Sequence, residues 1–213
     1  MTTFILVHGA WHTGAAWDRV TPLLGADAIT PDLTLDRDIG LSTHVDEVIT
    51  AIDATTGELV LAGHSYAGLV IRQAADARPE RVSHLVLIDG WAGQDGASMA
   101  SLAPDWLMTS VRTAAGDSWR IPAPDAATFG ITDPADARQL TLRDHPLRTF
   151  TEPTRLTGAV DEIPGTAVYC RPEVMPFRRL AEDLGYRTIA VDGPHDVMLT
   201  DPKTVAEVLL TCC

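Results

Sequence analysis

The sequence predicts an α/β fold built on a parallel sheet covered by helices on both faces. Two observations carry this. Short, largely apolar runs, such as Thr3 to Val7 and Val82 to Ile88, alternate along the chain with segments of helical spacing. Strands buried on both faces read as continuous apolar runs, and a parallel sheet needs a crossover helix between strands. The length of 213 residues and an apolar content of 46% add a third: one packed core, rather than two domains or a disordered chain.

Taken in order, Thr3 to Val7 is the first strand, ending at His8-Gly9. Trp17 to Leu24 suits a helix closed by Gly25, and Asp27 to Pro31 a second, weaker strand. Ser42 can cap a helix through about Ala54, where Val45, Val48, Ile49 and Ile52 fall at helical spacing. Glu58 to Ala62 is a strand, and Leu69 to Ala77 a helix stopped by Pro79. After the strand Val82 to Ile88 the rhythm stops. Residues 91 to 164 hold Pro104, Pro122, Pro124, Pro134, Pro146, Pro153 and Pro164, with Trp91, Trp106, Trp119 and one amphipathic stretch, Ser98 to Ala114. Long irregular segments in compact domains are usually functional, so this one reads as a lid inserted into a single domain whose core is residues 1–90 and 165–213. The rhythm resumes with Gly165 to Cys170, a helix from about Pro176 to Leu184, the strand Tyr186 to Val191, and a helix opened by Pro202 and running to Leu210. That makes about six strands.

Charge and cysteine usage narrow the function. A net charge of −13 argues against nucleic acid and anionic membranes as partners, and favours a neutral or weakly charged small molecule. Cys170, Cys212 and Cys213 form neither a disulfide framework nor a zinc pattern. No histidine pair has metal-ligand spacing, so no metal is expected. With no basic leader and no apolar run of membrane length, a soluble cytoplasmic protein is expected.

The stretch Leu59-Val-Leu-Ala-Gly-His-Ser-Tyr-Ala-Gly68 concentrates the chemistry. Ser65 follows a strand and precedes a helix, with small Gly63 and Ala67 two residues to either side. A serine lifted out of a sheet by so tight a turn is a nucleophile in waiting. Ligands of open parallel sheets bind at the carboxyl ends of the strands, which is where Ser65 lies. A hydroxyl needs an adjacent base. His195, in Val191-Asp-Gly-Pro-His-Asp, lies at the same end of the last strand and comes late in the chain, as the base does in such sheets. The Tyr66 N–H, at a helix N-terminus, is one expected oxyanion donor, and the Ala10 N–H, in the turn after the first strand, is the other. His8 is expected to order its turn and His64 to pack under the serine turn. His12 is either pocket wall or structural, and His44, His84 and His145 are expected at the surface.

These segments resemble the α/β-hydrolase family, and within it the hydroxynitrile-lyase and methylesterase group. The resemblance rests on Phe4 to Trp17, Leu61 to Gly68, Leu85 to Gly90 and the loop holding His195. It implies Ser65 as nucleophile, His195 as base, Ala10 and Tyr66 as oxyanion donors, no metal or organic cofactor, and often a homodimer. Lyases of the group carry a threonine after the first-turn histidine and a lysine after the catalytic histidine. Here those positions are Gly9 and Asp196, which favours the esterase side. Relatives place their triad acid just beyond the strand that follows the lid, where this chain has Glu173. Some α/β-hydrolases take it instead from the strand ending here at Asp89, so Glu173 and Asp89 both stand as candidates. Asp196 is poorly aimed at the His195 ring.

The expectation is a serine hydrolase cleaving a small, largely apolar carboxylic ester through an acyl-enzyme. Trp11, His12, Trp91, Trp106 and Met108, with the Tyr66 side chain, are candidates for the pocket wall. The alternatives are a lyase, cyclase or dehydratase using the same Ser-His site, and a non-catalytic small-molecule binder.

Overall fold

A computed structural model describes residues 2–213. Its main sheet has six parallel strands: β1 (Thr2–Val7), β2 (Ala28–Ile29), β3 (Glu58–His64), β4 (Val82–Ile88), and, beyond a two-stranded hairpin of β5 (Arg120–Ile121) and β6 (His145–Pro146), β7 (Gly165–Arg171) and β8 (Arg187–Asp192). The order in the sheet is β2-β1-β3-β4-β7-β8. Alternate side chains of one strand therefore enter two different cores. Ile5, Val7, Leu59, Leu61, Leu85 and Leu87 pack on one face with the helices α1 (Leu41–Ala54) and α2 (Ala67–Ala77). Phe4, Leu6, Val60, Ala62, Val86 and Ile88 pack on the other.

The insertion carries α3 (Met99–Leu102), α4 (Asp105–Ala115), α5 (Pro134–Ala137) and α6 (Arg148–Thr151). Met99, Val111, Ile121 and Phe150 from it join the first core. After β7 come α7 (Phe177–Asp183), α8 (Val197–Thr200) and α9 (Pro202–Leu210).

Four elements differ from the sequence expectation. Trp17 to Leu24 is not an α-helix but two 3-10 turns, Gly14–Trp17 and Thr21–Leu23, because Pro22 cannot continue the ladder. The second strand shrinks to two residues at the sheet edge, paired to Phe4 and Ile5. Buried Leu41 starts α1, so Gly40 and not Ser42 occupies its N-cap. Pro104 splits the stretch from Ser98 to Ala114 into α3 and α4, and Ser98 caps the first through Ser101.

The α2 N-terminus sits so close to the β4 exit that its glycine is sterically required. A Cβ on Gly68 would lie 2.3 Å from the Trp91 carbonyl oxygen. Gly68→Ala is therefore expected to cost ~2 kcal/mol, the scale of an overpacked core site. At this chain length that is a fall of about 4–8 °C in melting temperature by calorimetry. An unchanged melting temperature would show that α2 can simply slide.

Candidate active site

Three non-glycine residues have positive φ: Trp11 (65°), Ser65 (52°) and Asp89 (44°). They follow β1, β3 and β4 at the same end of the sheet, and all three line one cavity. Such backbone costs about 1–3 kcal/mol per residue and collects at working sites.

The Ser65 turn is locked by its neighbours. The Ser65 N–H donates to Ile88 (3.1 Å), and its carbonyl accepts from Gly68 (3.1 Å) and Trp91 (3.0 Å). A Cβ on Gly63 would stand 2.8 Å from the Ala67 carbonyl oxygen, which is why this position is glycine. Among the described residues, the N–H groups of Ala10 and Tyr66 donate to no protein acceptor. Tyr66 precedes α2, so its N–H shares the positive end of that helix dipole.

His195 arrives on the loop after β8. Its Nδ1–H donates to Asp89 Oδ2 at 2.6 Å. Asp89 is held in turn: its Oδ1 accepts from the Cys170 N–H (2.8 Å), and its own N–H donates to Val168 (2.7 Å). Burial acts to lower the His195 pKa, but the hydrogen bond and charge of Asp89, with the charge of Asp196, outweigh it and hold the ring above its ordinary value. The ring lies between two phenyl groups, Phe177 at 5.6 Å and 16° and Phe129 at 6.2 Å and 20°. Ser65 Oγ and His195 are not hydrogen-bonded to each other; they meet as two walls of the same cavity.

Glu173 is not at this site. Its carboxylate accepts from Arg178 Nε at 2.9 Å, on the partly exposed outer side of the loop after β7. An arginine five residues along the chain holds it more readily than an imidazole from a distant loop. Asp196 is fully buried and contacts His12, 2.9 Å from Nε2, rather than the His195 ring.

The cavity encloses about 360 Å³. Of the pocket-wall candidates, Trp11 and Trp91 line it. Trp106 is 55% exposed, Met108 is buried in the core, and Leu107 between them faces the cavity, since each residue turns a helix by about 100°. His12 is buried beneath the site and is structural. The Tyr66 side chain is also buried, with its hydroxyl 3.0 Å from His44 Nδ1. His44 and His145, expected at the surface, are both fully buried; Nδ1 of His145 accepts the Trp11 N–H (3.4 Å), which ties the insertion to the turn after β1. His8 bridges Gly9 and Leu33 within its turn, and His64 lies buried under the serine turn. Sequence reading missed Phe129, Phe177, Met99 and Leu107. A Phe directly after Pro176, at the start of a helix leaving the sheet, was the one available signal.

Among the described residues, one group has a metal-like composition: His12, His64 and Asp196, with ligand atoms within 4.8 Å of one another. Bonds of about 2.0–2.1 Å in a tetrahedral zinc site would hold ligand atoms roughly 3.3 Å apart. The 2.9 Å between His12 Nε2 and Asp196 is instead a hydrogen-bond length.

A serine on a strained strand–helix turn and an imidazole–carboxylate pair on one cavity, with two free N–H groups in the adjoining turns, form the working parts of nucleophilic acyl transfer. Comparison with known proteins agrees with the fold. Over 98% of its length the chain is 29% identical to the carbendazim hydrolyzing esterase of Nocardioides sp. (strain SG-4G), likewise over 98% of that protein. An extracellular alpha/beta-hydrolase from a Paenibacillus species, described as homologous to tobacco salicylic acid binding protein 2, superposes with a TM-score of 0.88 at 24% identity, covering 100% of this chain and 99% of that one. A methylesterase from Arabidopsis superposes with a TM-score of 0.79 at 17% identity, covering 99% and 98%. No helix among the described residues is long and apolar enough to cross a membrane. The model of the alpha/beta hydrolase family matches residues 4–208, and with the turn, the strand order and the cavity in agreement, the chain belongs to that family.

Proposed function

We propose that the protein is a serine hydrolase of small, uncharged, largely apolar carboxylic esters, working without a cofactor in the cytoplasm. The observation that carries the reading is the strained Ser65 turn opening onto the same cavity as the Asp89-bound His195 ring. Ser65 Oγ forms the bond to the ester carbonyl carbon while its proton passes to His195 Nε2. The negative charge that develops on the carbonyl oxygen is met by the Ala10 and Tyr66 N–H groups. The C–O bond to the alcohol breaks, and His195 returns the proton to the leaving oxygen. Water repeats the sequence on the acyl-enzyme and frees the acid. Asp89 keeps the proton on Nδ1, so that Nε2 presents its lone pair to the serine.

The cavity wall supports the substrate class. Trp11, Trp91, Met99, Leu107, Phe129 and Phe177 offer apolar surface, and the ionisable side chains on it are Asp89, Cys170 and His195. A charged acyl or alcohol group would find no counter-charge there beyond Asp89 and His195, which are paired with each other. The likeness to a protein named as an esterase over its whole length points the same way.

Lyase chemistry has less support. A Cβ at Gly9, the position where lyases of the group carry threonine, would stand 2.7 Å from His64 Nδ1 and 3.0 Å from Ser65 Cβ. Asp196, in place of their lysine, is turned into the protein interior.

Turnover of p-nitrophenyl acetate and one-to-one labelling by a fluorophosphonate test the reading. Peptide mapping is expected to place the label on Ser65, and Ser65→Ala to abolish both. Label on another residue, or an unlabelled and inert wild type, would overturn it.

A further inference from the structure

The group of His12, His64 and Asp196 lies beneath the cavity floor, with side chains no more than 1% exposed. Counting its protons shows what it does. His12 Nδ1 is 2.7 Å from the Ala10 carbonyl oxygen, which can only accept, so Nδ1 carries a proton. His12 Nε2 is 2.9 Å from Asp196 Oδ2. A neutral ring with its proton on Nδ1 would there set a lone pair against a carboxylate. One further proton must therefore lie between them, and the imidazole is the more basic of the two groups. His64 Nε2 donates to the His195 carbonyl at 3.2 Å and stands 3.6 Å from Asp196 Oδ1, while its ring lies 4.6 Å from that of His195.

These contacts join two loops that the proposed reaction needs in register. His12 grips the turn that supplies the Ala10 N–H. Asp196 is bonded in sequence to His195, and His64 holds the His195 backbone from the side of the serine turn. We propose that His12, as an imidazolium paired with the Asp196 carboxylate and flanked by His64, is a buried strut that sets the position of His195 relative to the oxyanion donors. This rests on the hydrolase reading above. The three are positioning residues: they line no part of the cavity and touch no reacting atom.

The test combines histidine-ring nitrogen NMR with kinetics on p-nitrophenyl acetate. In the wild type, one ring, identified by its loss in His12→Gln, is expected to carry protons on both nitrogens. In Asp196→Asn the same ring should carry a proton on Nδ1 alone, because the amide N–H can then donate to Nε2. Asp196→Ala removes the strut. It is expected to lower kcat about 100-fold, the scale of a misplacement of about 1 Å, with KM unchanged. Asp196→Asn keeps a hydrogen bond and should restore kcat to within a few fold of the wild type. A general loss of stability would not follow this order.

A singly protonated His12 ring in the wild type would overturn the proposal. So would wild-type kcat in a folded Asp196→Ala variant, or a stoichiometric transition metal on the purified protein. If Asp196→Ala does not fold, the ring protonation in the wild type and in Asp196→Asn still decides. If the wild type fails to turn over the ester, the hydrolase reading falls separately. The strut is then decided by the Nδ1 proton resonance of His195, which Asp196→Ala must shift and Asp196→Asn must leave in place.

Discussion

Asp89→Asn is expected to lower kcat for p-nitrophenyl acetate by about 10⁴-fold, the cost of a misoriented tautomer in a serine triad, with little change in KM. The surroundings dictate this result. The Cys170 N–H donates to Oδ1, so an asparagine must turn its carbonyl oxygen toward Cys170. Its amide N–H₂ then faces His195 Nδ1, which has to accept. The ring proton moves to Nε2, where the reaction requires a lone pair. Glu173→Gln is expected to stay within about twofold of the wild type, because it loses only a partly exposed pair with Arg178, a type of contact worth at most about 1 kcal/mol of stability. If the two results were exchanged, Asp89 would be a turn former and the loop after β7 would have to rearrange in solution. The pH profile gives a second reading. His195 must be unprotonated to act, and its pKa is raised, so the acid limb of kcat/KM should lie above about pH 6.5 and move down when Asp89 is neutralised.

The second large effect is on stability in mild acid. Burial is the leading cause that holds His8, His44, His64 and His145 below the ordinary histidine range, His8 at about 4. Above pH 6.5 these rings are neutral in both the folded and the unfolded chain, and they cost nothing. As the pH falls below 6.5 the unfolded chain takes up protons that the folded one refuses, so stability declines until the folded pKa is reached. For His8 alone the loss at pH 5 is about 2 kcal/mol. His195 acts in the opposite sense: its pKa is raised, so it contributes stability at low pH that is lost as pH rises through the folded value. The rings held down, with His84 a fifth, outnumber those that keep a proton in the folded chain, so a net loss of stability is expected between pH 6.5 and 5. Urea denaturation across this range should show the midpoint falling steadily with pH. An unchanged midpoint would mean that these rings are not shut away from water. Asp76 belongs to a separate, lower window. Burial opposes its ionisation, but the N–H groups of Thr157, Gly158 and Val160 outweigh it and lower the pKa, so its contribution is lost only below about pH 4.

The main strands, the helices α1, α2, α7 and α9, the Ser65 turn and the place of His195 were all legible along the chain. Each depends on near neighbours: apolar runs, helical spacing, and small residues around a serine between a strand and a helix. What depends on contacts between distant segments was not legible. The sequence left both Glu173 and Asp89 standing as candidates for the acid. The choice between them came from strand order, which sets β4 beside β7 so that the Cys170 N–H fixes Asp89 under the ring, and from Arg178, which draws Glu173 outward. The same holds for the lid. Its composition marked it as packed, but only the fold shows that Phe129 reaches His195, that Leu107 rather than Trp106 or Met108 faces the cavity, and that His145 holds the Trp11 turn. Local pattern determined which segments form strands, helices and the serine turn, because those choices are made by backbone sterics and apolar spacing within a few residues. Tertiary structure decided which carboxylate, which rings and which histidines meet, because burial and hydrogen-bond pairing are properties of the assembled chain.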